Sequence, residues 1–157
     1  MPHNSNLKKL VYIFELEPQH VLEVLQIVKP HMNLDEVEAY LSEPSSTIFQ
    51  NFDHENMRAF LDGLIISSRG ENDRGVPSPD PSPLSNNAIL KKIRIALNLL
   101  EEDVYEIFEH GNLALNNSEY KAIFRSEQHK NFKPCSDQML KSFFEGLQAM
   151  YEPDRVS

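Results

Sequence analysis

The sequence predicts an all-α protein in which one four-helix unit of roughly 65 residues occurs twice, the copies related by pseudo-two-fold symmetry and joined by a proline-rich linker. Three observations carry this reading. Shifted by 83 residues without gaps, residues 4–66 align with 87–149 and agree at fourteen positions, among them Asn4/Asn87, Lys8/Lys91, Asn33/Asn116, Glu36/Glu119, Phe60/Phe143 and Gly63/Gly146. Many other pairs exchange one apolar residue for another, such as Leu10/Ile93, Val24/Ile107 and Leu61/Phe144, so the duplication preserves a core pattern. Between the copies, residues 70–85 carry prolines at 77, 79, 81 and 83; proline fixes φ and removes backbone donors, which predicts an extended, semi-rigid linker with no core of its own. The organisation expected is therefore a first repeat at 1–69, the linker at 70–85, a second repeat at 86–151 and a frayed tail at 152–157.

Each element has its own signal. The first helix of each copy is expected over residues 5–16 and 87–99, with Leu7, Leu10, Val11 and Phe14 on one face and Leu90, Ile93 and Leu97 on the other copy's face. The second begins near Pro18, a favourable first-turn position for proline, and near Glu101, where three successive acids face the positive end of the helix dipole. Gly111 ends the later one. The third starts in both copies with Asn-x-x-Glu, at Asn33 and at Asn116, which is a capping box with asparagine as the cap. The fourth is capped by Asp53 and Ser136 at equivalent positions, and Met139, Leu140, Phe143, Phe144, Leu147, Met150 and Tyr151 form an i, i+3, i+4 stripe. Gly63 and Gly146 sit inside these stripes, where glycine costs about 1 kcal/mol relative to alanine, so a close helix crossing is expected to compensate.

Composition narrows the function. The chain has 157 residues and a net charge of -9, which argues against wholesale attraction to nucleic acid or to an anionic membrane. One cysteine cannot make an internal disulfide and suits a reducing compartment, so a cytoplasmic location is expected. The apolar run at 10–14 is too short for a signal peptide or a membrane span. The six histidines lack metal-site spacing, and the closely spaced glycines, Gly70 and Gly75, fall in the linker beside no strand; neither a metal nor a nucleotide cofactor is expected.

Charge distinguishes the copies. Residues 1–69 carry a net charge of -5 and residues 84–151 a net of -1. The basic excess gathers around Lys121, Arg125, His129, Lys130 and Lys133, just before the helix that Ser136 caps, with Cys135 beside it. A helix N-terminus among cations suits an anion, either a phosphate or a partner's carboxylate. These seven residues are the candidate binding site. Nearby lysines and a helix start would lower the pKa of the Cys135 thiol, but no orienting acid stands at a recognisable spacing, and its counterpart is the apolar Phe52; no catalytic residue is assigned.

With N-N-A-I-L-K-K-I-R-I-A-L-N-L at 86–99 and H-K-N-F-K-P-C-S-D-Q-M-L-K-S-F-F-E-G-L at 129–147, the chain resembles the YehS-like family, small bacterial proteins built from a duplicated domain of unknown function. The resemblance covers nearly the whole length. It implies the duplicated architecture and no catalytic residues. The function expected is a non-enzymatic binding or regulatory module that recognises an anionic group or a protein partner through the second repeat. The alternative is a nucleic-acid-binding regulator, because residues 93–108 superficially resemble the opening of a helix-turn-helix; the eight residues between Phe108 and the third helix exceed the three or four usual there. A small enzyme using Cys135 ranks last.

Overall fold

Eight helices and no strand occupy the described residues, 2–70 and 75–151, of a computed structural model. They fall into two units, Met1–Leu84 and Ser85–Ser157. The first holds α1 (Asn4–Phe14), α2 (Pro18–Val28), α3 (Leu34–Leu41) and α4 (His54–Arg69); the second holds α5 (Asn86–Ala96), α6 (Glu101–His110), α7 (Asn117–Phe124) and α8 (Asp137–Tyr151). The starts of α6, α7 and α8 lie 83 residues after those of α2, α3 and α4, so the tandem duplication read from the sequence is a duplication of structure.

The capping chemistry is as the residues dictate. Asn33 Oδ1 accepts from the Glu36 N–H at 2.9 Å while the Glu36 carboxylate accepts from the Asn33 N–H at 3.2 Å, and Asn116 and Glu119 repeat the pair at 2.8 and 3.1 Å. Asp53 Oδ1 accepts from the Asn56 N–H and Ser136 Oγ from the Met139 N–H. The first helices end earlier than their apolar pattern suggests. Glu15 and Asn98, at equivalent positions, adopt φ of 53° and 55°. The following leucines then turn their N–H groups back to the Val11 and Arg94 carbonyls, at 3.0 and 2.9 Å, closing off each helix. No glycine marks these left-handed stops, so the sequence pattern runs past them.

Packing within each unit is dominated by one helix pair, α2 with α4 and α6 with α8. The glycines explain how they approach. A Cβ on Gly63 would stand 2.2 Å from the Val24 carbonyl oxygen, and one on Gly146 only 1.7 Å from that of Ile107. Gly111, at the end of α6, meets the Ser142 carbonyl of α8 in the same way, at 1.9 Å. Around these crossings lie Leu7, Leu10, Leu25, Met57, Phe60 and Leu61 in the first unit and Leu90, Ile93, Phe108, Phe143 and Leu147 in the second, all buried. Tyr151 and Met150, the end of the expected α8 stripe, are exposed.

The linker is less independent than its prolines imply. Leu84 is buried in the first unit and its N–H donates to His54 Nδ1 at 3.1 Å. The Arg58 guanidinium, on α4, donates to the carbonyls of Asp80, Ser82 and Pro83. Proline leaves carbonyls without a helix or sheet to use them, and one arginine fork collects three. The frayed tail expected at 152–157, and residues 71–74 of the linker, lie outside the described residues.

Candidate functional site

The candidate residues lie on α7 and on the loop 125–136 that leads to α8. An asparagine fixes that loop. Asn87 Nδ2 donates to the Ile123 and Lys133 carbonyls at 2.9 and 3.0 Å, and its Oδ1 accepts from the Cys135 N–H at 2.8 Å. Asn4 makes the same three bonds in the first unit, to Tyr40, Gln50 and Phe52, each at 2.9 Å. The turns between agree as well: His129 N–H to Ser126 O matches Ser46 to Glu43, and Lys133 N–H to Ala122 O matches Gln50 to Ala39. One backbone therefore carries two different sets of side chains.

That equivalence shows which candidates share a face. In the first unit, Asp35, Glu38, Thr47 and Gln50 line one open cleft of about 490 Å³ together with Ile48 and Phe49. The same positions in the second unit carry Ser118, Lys121, Lys130 and Lys133. The face is acidic in one copy and basic in the other. Lys121, Lys130 and Lys133 are exposed, and none makes an ion pair among the described residues. His129 takes a different part: its Nδ1 accepts from the Asn131 N–H at 3.0 Å and tightens the turn.

Cys135 and Ser136 serve the fold. Cys135 is buried, its Sγ faces the Ser136 carbonyl at 3.6 Å, and burial, with the Asp137 carboxylate adding to it, pushes its thiol up to about 11. Burial therefore favours the protonated thiol, the reverse of the lowering expected from the nearby lysines. The first turn of α8, where sequence spacing places an anion, already holds Ser136 Oγ on the Met139 N–H and the Asp137 carboxylate, which accepts from Asn86 Nδ2 at 2.8 Å.

Arg125 faces elsewhere. It lines a smaller cavity of about 200 Å³ between the start of α5 and the α7–α8 loop, with Ser85, Ala88 and Lys91 on the α5 side and Phe124, Ser126, Glu127 and Phe132 on the other. Lys91 was visible in the sequence only as a repeated residue. Its counterpart Lys8 is spent on the Ser42 carbonyl, at 2.7 Å. Phe132 borders this cavity, and its counterpart Phe49 borders the acidic cleft of the first unit, so cavity and lysine face adjoin.

Elsewhere in the first unit, His3 is buried at the start of α1 and its Nε2 lies 2.9 Å from His54 Nδ1. Asn86 and Asp137 replace this pair in the second unit. Among the described residues no group of three or more His, Cys, Asp or Glu side chains is placed to hold a metal ion, and no helix is long and apolar enough to cross a membrane.

The chain matches the family described as "Protein of unknown function (DUF1456)" twice, over residues 3–70 and 86–152. The "Uncharacterized protein YehS" of Escherichia coli (strain K12) is 30% identical over 150 residues, covering 95% of this chain and 96% of that protein. No solved structure matches. The chain belongs to the DUF1456 family, and each of its two units is one copy of the family's domain.

Proposed function

We propose that this DUF1456 protein is a non-enzymatic binding module whose second unit recognises an acidic group on a protein partner. The observation that carries the reading is the inversion of charge on one backbone, Asp35 and Glu38 in the first unit against Lys121, Lys130 and Lys133 in the second. A shared loop fold with matched asparagine clamps explains why the positions correspond; it does not explain why only the second copy gathers lysines. Unpaired exposed cations in a chain of net charge -9 supply local attraction for an acidic surface while the rest of the molecule repels one.

Capture from bacterial lysate tests this. The full chain and a Lys121→Glu, Lys130→Glu, Lys133→Glu variant are used as bait, with and without nuclease. Support is a protein retained by the wild type in nuclease-treated lysate, lost in the variant, and released as salt rises from 0.1 to 1 M and the screening length falls from about 10 to 3 Å. Equal retention by both baits removes the basic face from the reading. A complex that survives only without nuclease favours nucleic-acid binding instead.

A further inference from the structure

We propose that the cavity between Lys91 and Arg125 is a receptor for one carboxylate side chain of a protein partner, with an aliphatic residue next to it in the partner's sequence. The inference rests on the second unit's being the binding half, and it names the chemistry taken there.

The cavity measures about 200 Å³. Sites for drug-sized molecules run about 300–1,000 Å³, so this one is matched in size to a single side chain. Lys91 and Arg125 line it from opposite sides, on α5 and at the end of α7, and neither makes a hydrogen bond or ion pair through its side chain among the described residues. Lys91 is exposed and Arg125 half-buried, and two like charges lining one space repel each other unless an anion enters between them. Glu127 also lines the cavity, so the lining carries one net positive charge. That balance suits a singly charged carboxylate. A phosphate monoester, at about -1.5 to -2, would be left in excess against Glu127. The planar guanidinium of Arg125 offers the fork that a carboxylate accepts in two bonds, and the start of α5 adds its positive dipole end from the Ser85 side.

Beside Ser85, Asn87 and Ser126, the rest of the lining is apolar. Ile123, Phe124 and Phe132 give a wall on which an aliphatic neighbour can lie. The first unit offers no equivalent: Lys8 is tied to the Ser42 carbonyl, Ser42 stands in the place of Arg125, and Glu43 in the place of Ser126.

Nitrogen-15 spectra of the full chain, titrated with three short blocked peptides, test this. The peptides are identical except for one position before a leucine, which is Glu, Gln or phosphoserine. The Glu peptide is expected to shift the amides of Ala88, Lys91, Arg125 and Ser126, and to bind about tenfold more weakly to Arg125→Ala and to Lys91→Ala, a loss of about 1.4 kcal/mol. Because both side chains lack partners among the described residues, these variants keep the wild-type spectrum elsewhere. Equal binding of the Glu and Gln peptides, or tighter binding of the phosphoserine peptide, overturns the carboxylate assignment. Shifts confined to Lys121, Lys130 and Lys133 overturn the cavity but leave the second unit as the binding half. No shift in the second unit with any anionic peptide removes both.

Discussion

His3 and His54 show how much a single pair of rings can control. The Leu84 N–H can only donate, so His54 Nδ1 is an acceptor; His3 Nε2 must then donate to it, and His3 Nδ1 accepts from Asn6 Nδ2 at 3.2 Å. The His3 ring is neutral in this arrangement. Burial, aided by His54 and then by Arg58 against the opposing pull of Asp53, pushes His3 down from 6.5 to about 4. In the unfolded chain His3 takes up a proton below pH 6.5, whereas in the native first unit it does so only below about 4. The contribution is intact above pH 6.5, is lost as pH falls from 6.5 to 4, and totals at most about 3 kcal/mol. The expected result is that His3→Asn, which installs the residue found at position 86, flattens the fall in urea midpoint between pH 6.5 and 4 relative to wild type. Parallel curves for the two proteins would refute it. The duplicated asparagine makes a second claim at this scale. Asn87→Ala strips two carbonyls and one N–H of their partner, and with each unsatisfied buried group costing about 1–3 kcal/mol, a loss of about 2–4 kcal/mol in chemical denaturation is expected after solvent reaches some of them. The repetition of Asn4 and Asn87 was legible in the sequence; its cause was not, because the three bonds span 36 to 48 residues.

Helices and their crossings were legible for a different reason: caps, dipole-facing acids and i, i+3, i+4 stripes are local signals. Asn33-x-x-Glu36, Asn116-x-x-Glu119 and the α8 stripe from Leu140 to Leu147 fold as local chemistry dictates. Glu15 was not legible as a helix stop, since a left-handed glutamate carries no marker and is imposed by the turn into α2. The glycine crossings can be tested directly. Alanine gains about 1 kcal/mol in helix propensity over glycine, so any net loss measures the crossing. A methyl at position 146 would fall 1.7 Å from a backbone oxygen of α6, which cannot rotate away as a side chain end can. Gly146→Ala is expected to lose about 1–3 kcal/mol, with Gly63→Ala, at 2.2 Å, losing no more than that. Thermal or urea unfolding of the two variants decides this, and a stabilised Gly146→Ala would end the close-packing account.

At the scale of the whole chain, the duplicated fold was legible, while the candidate site draws on residues both near and far in sequence. Lysines at 121, 130 and 133 are near in sequence and occupy the positions that line one cleft in the first unit. Lys91 and Arg125 meet only through the packing of α5 against α7 and its loop, 34 positions apart, and no spacing rule joins them. The linker poses the same problem, since its composition reads as a spacer while Arg58 and His54 bind it to α4. The first compact unit accordingly runs on to Leu84. A fragment of residues 1–84 keeps Leu84 buried, the guanidinium on its carbonyls and the imidazole on its N–H; a fragment of residues 1–70 loses all three. Burial of a leucine side chain contributes about 1.5–3 kcal/mol and each hydrogen bond about 0.5–1.5, offset by the entropy of ordering the linker. Urea unfolding of the two fragments, followed by helical circular dichroism, is expected to place 1–84 higher by about 1–3 kcal/mol, and Leu84→Ala in the longer fragment should remove most of that margin. Equal midpoints for 1–84 and 1–70 would return the linker to the role of passive spacer.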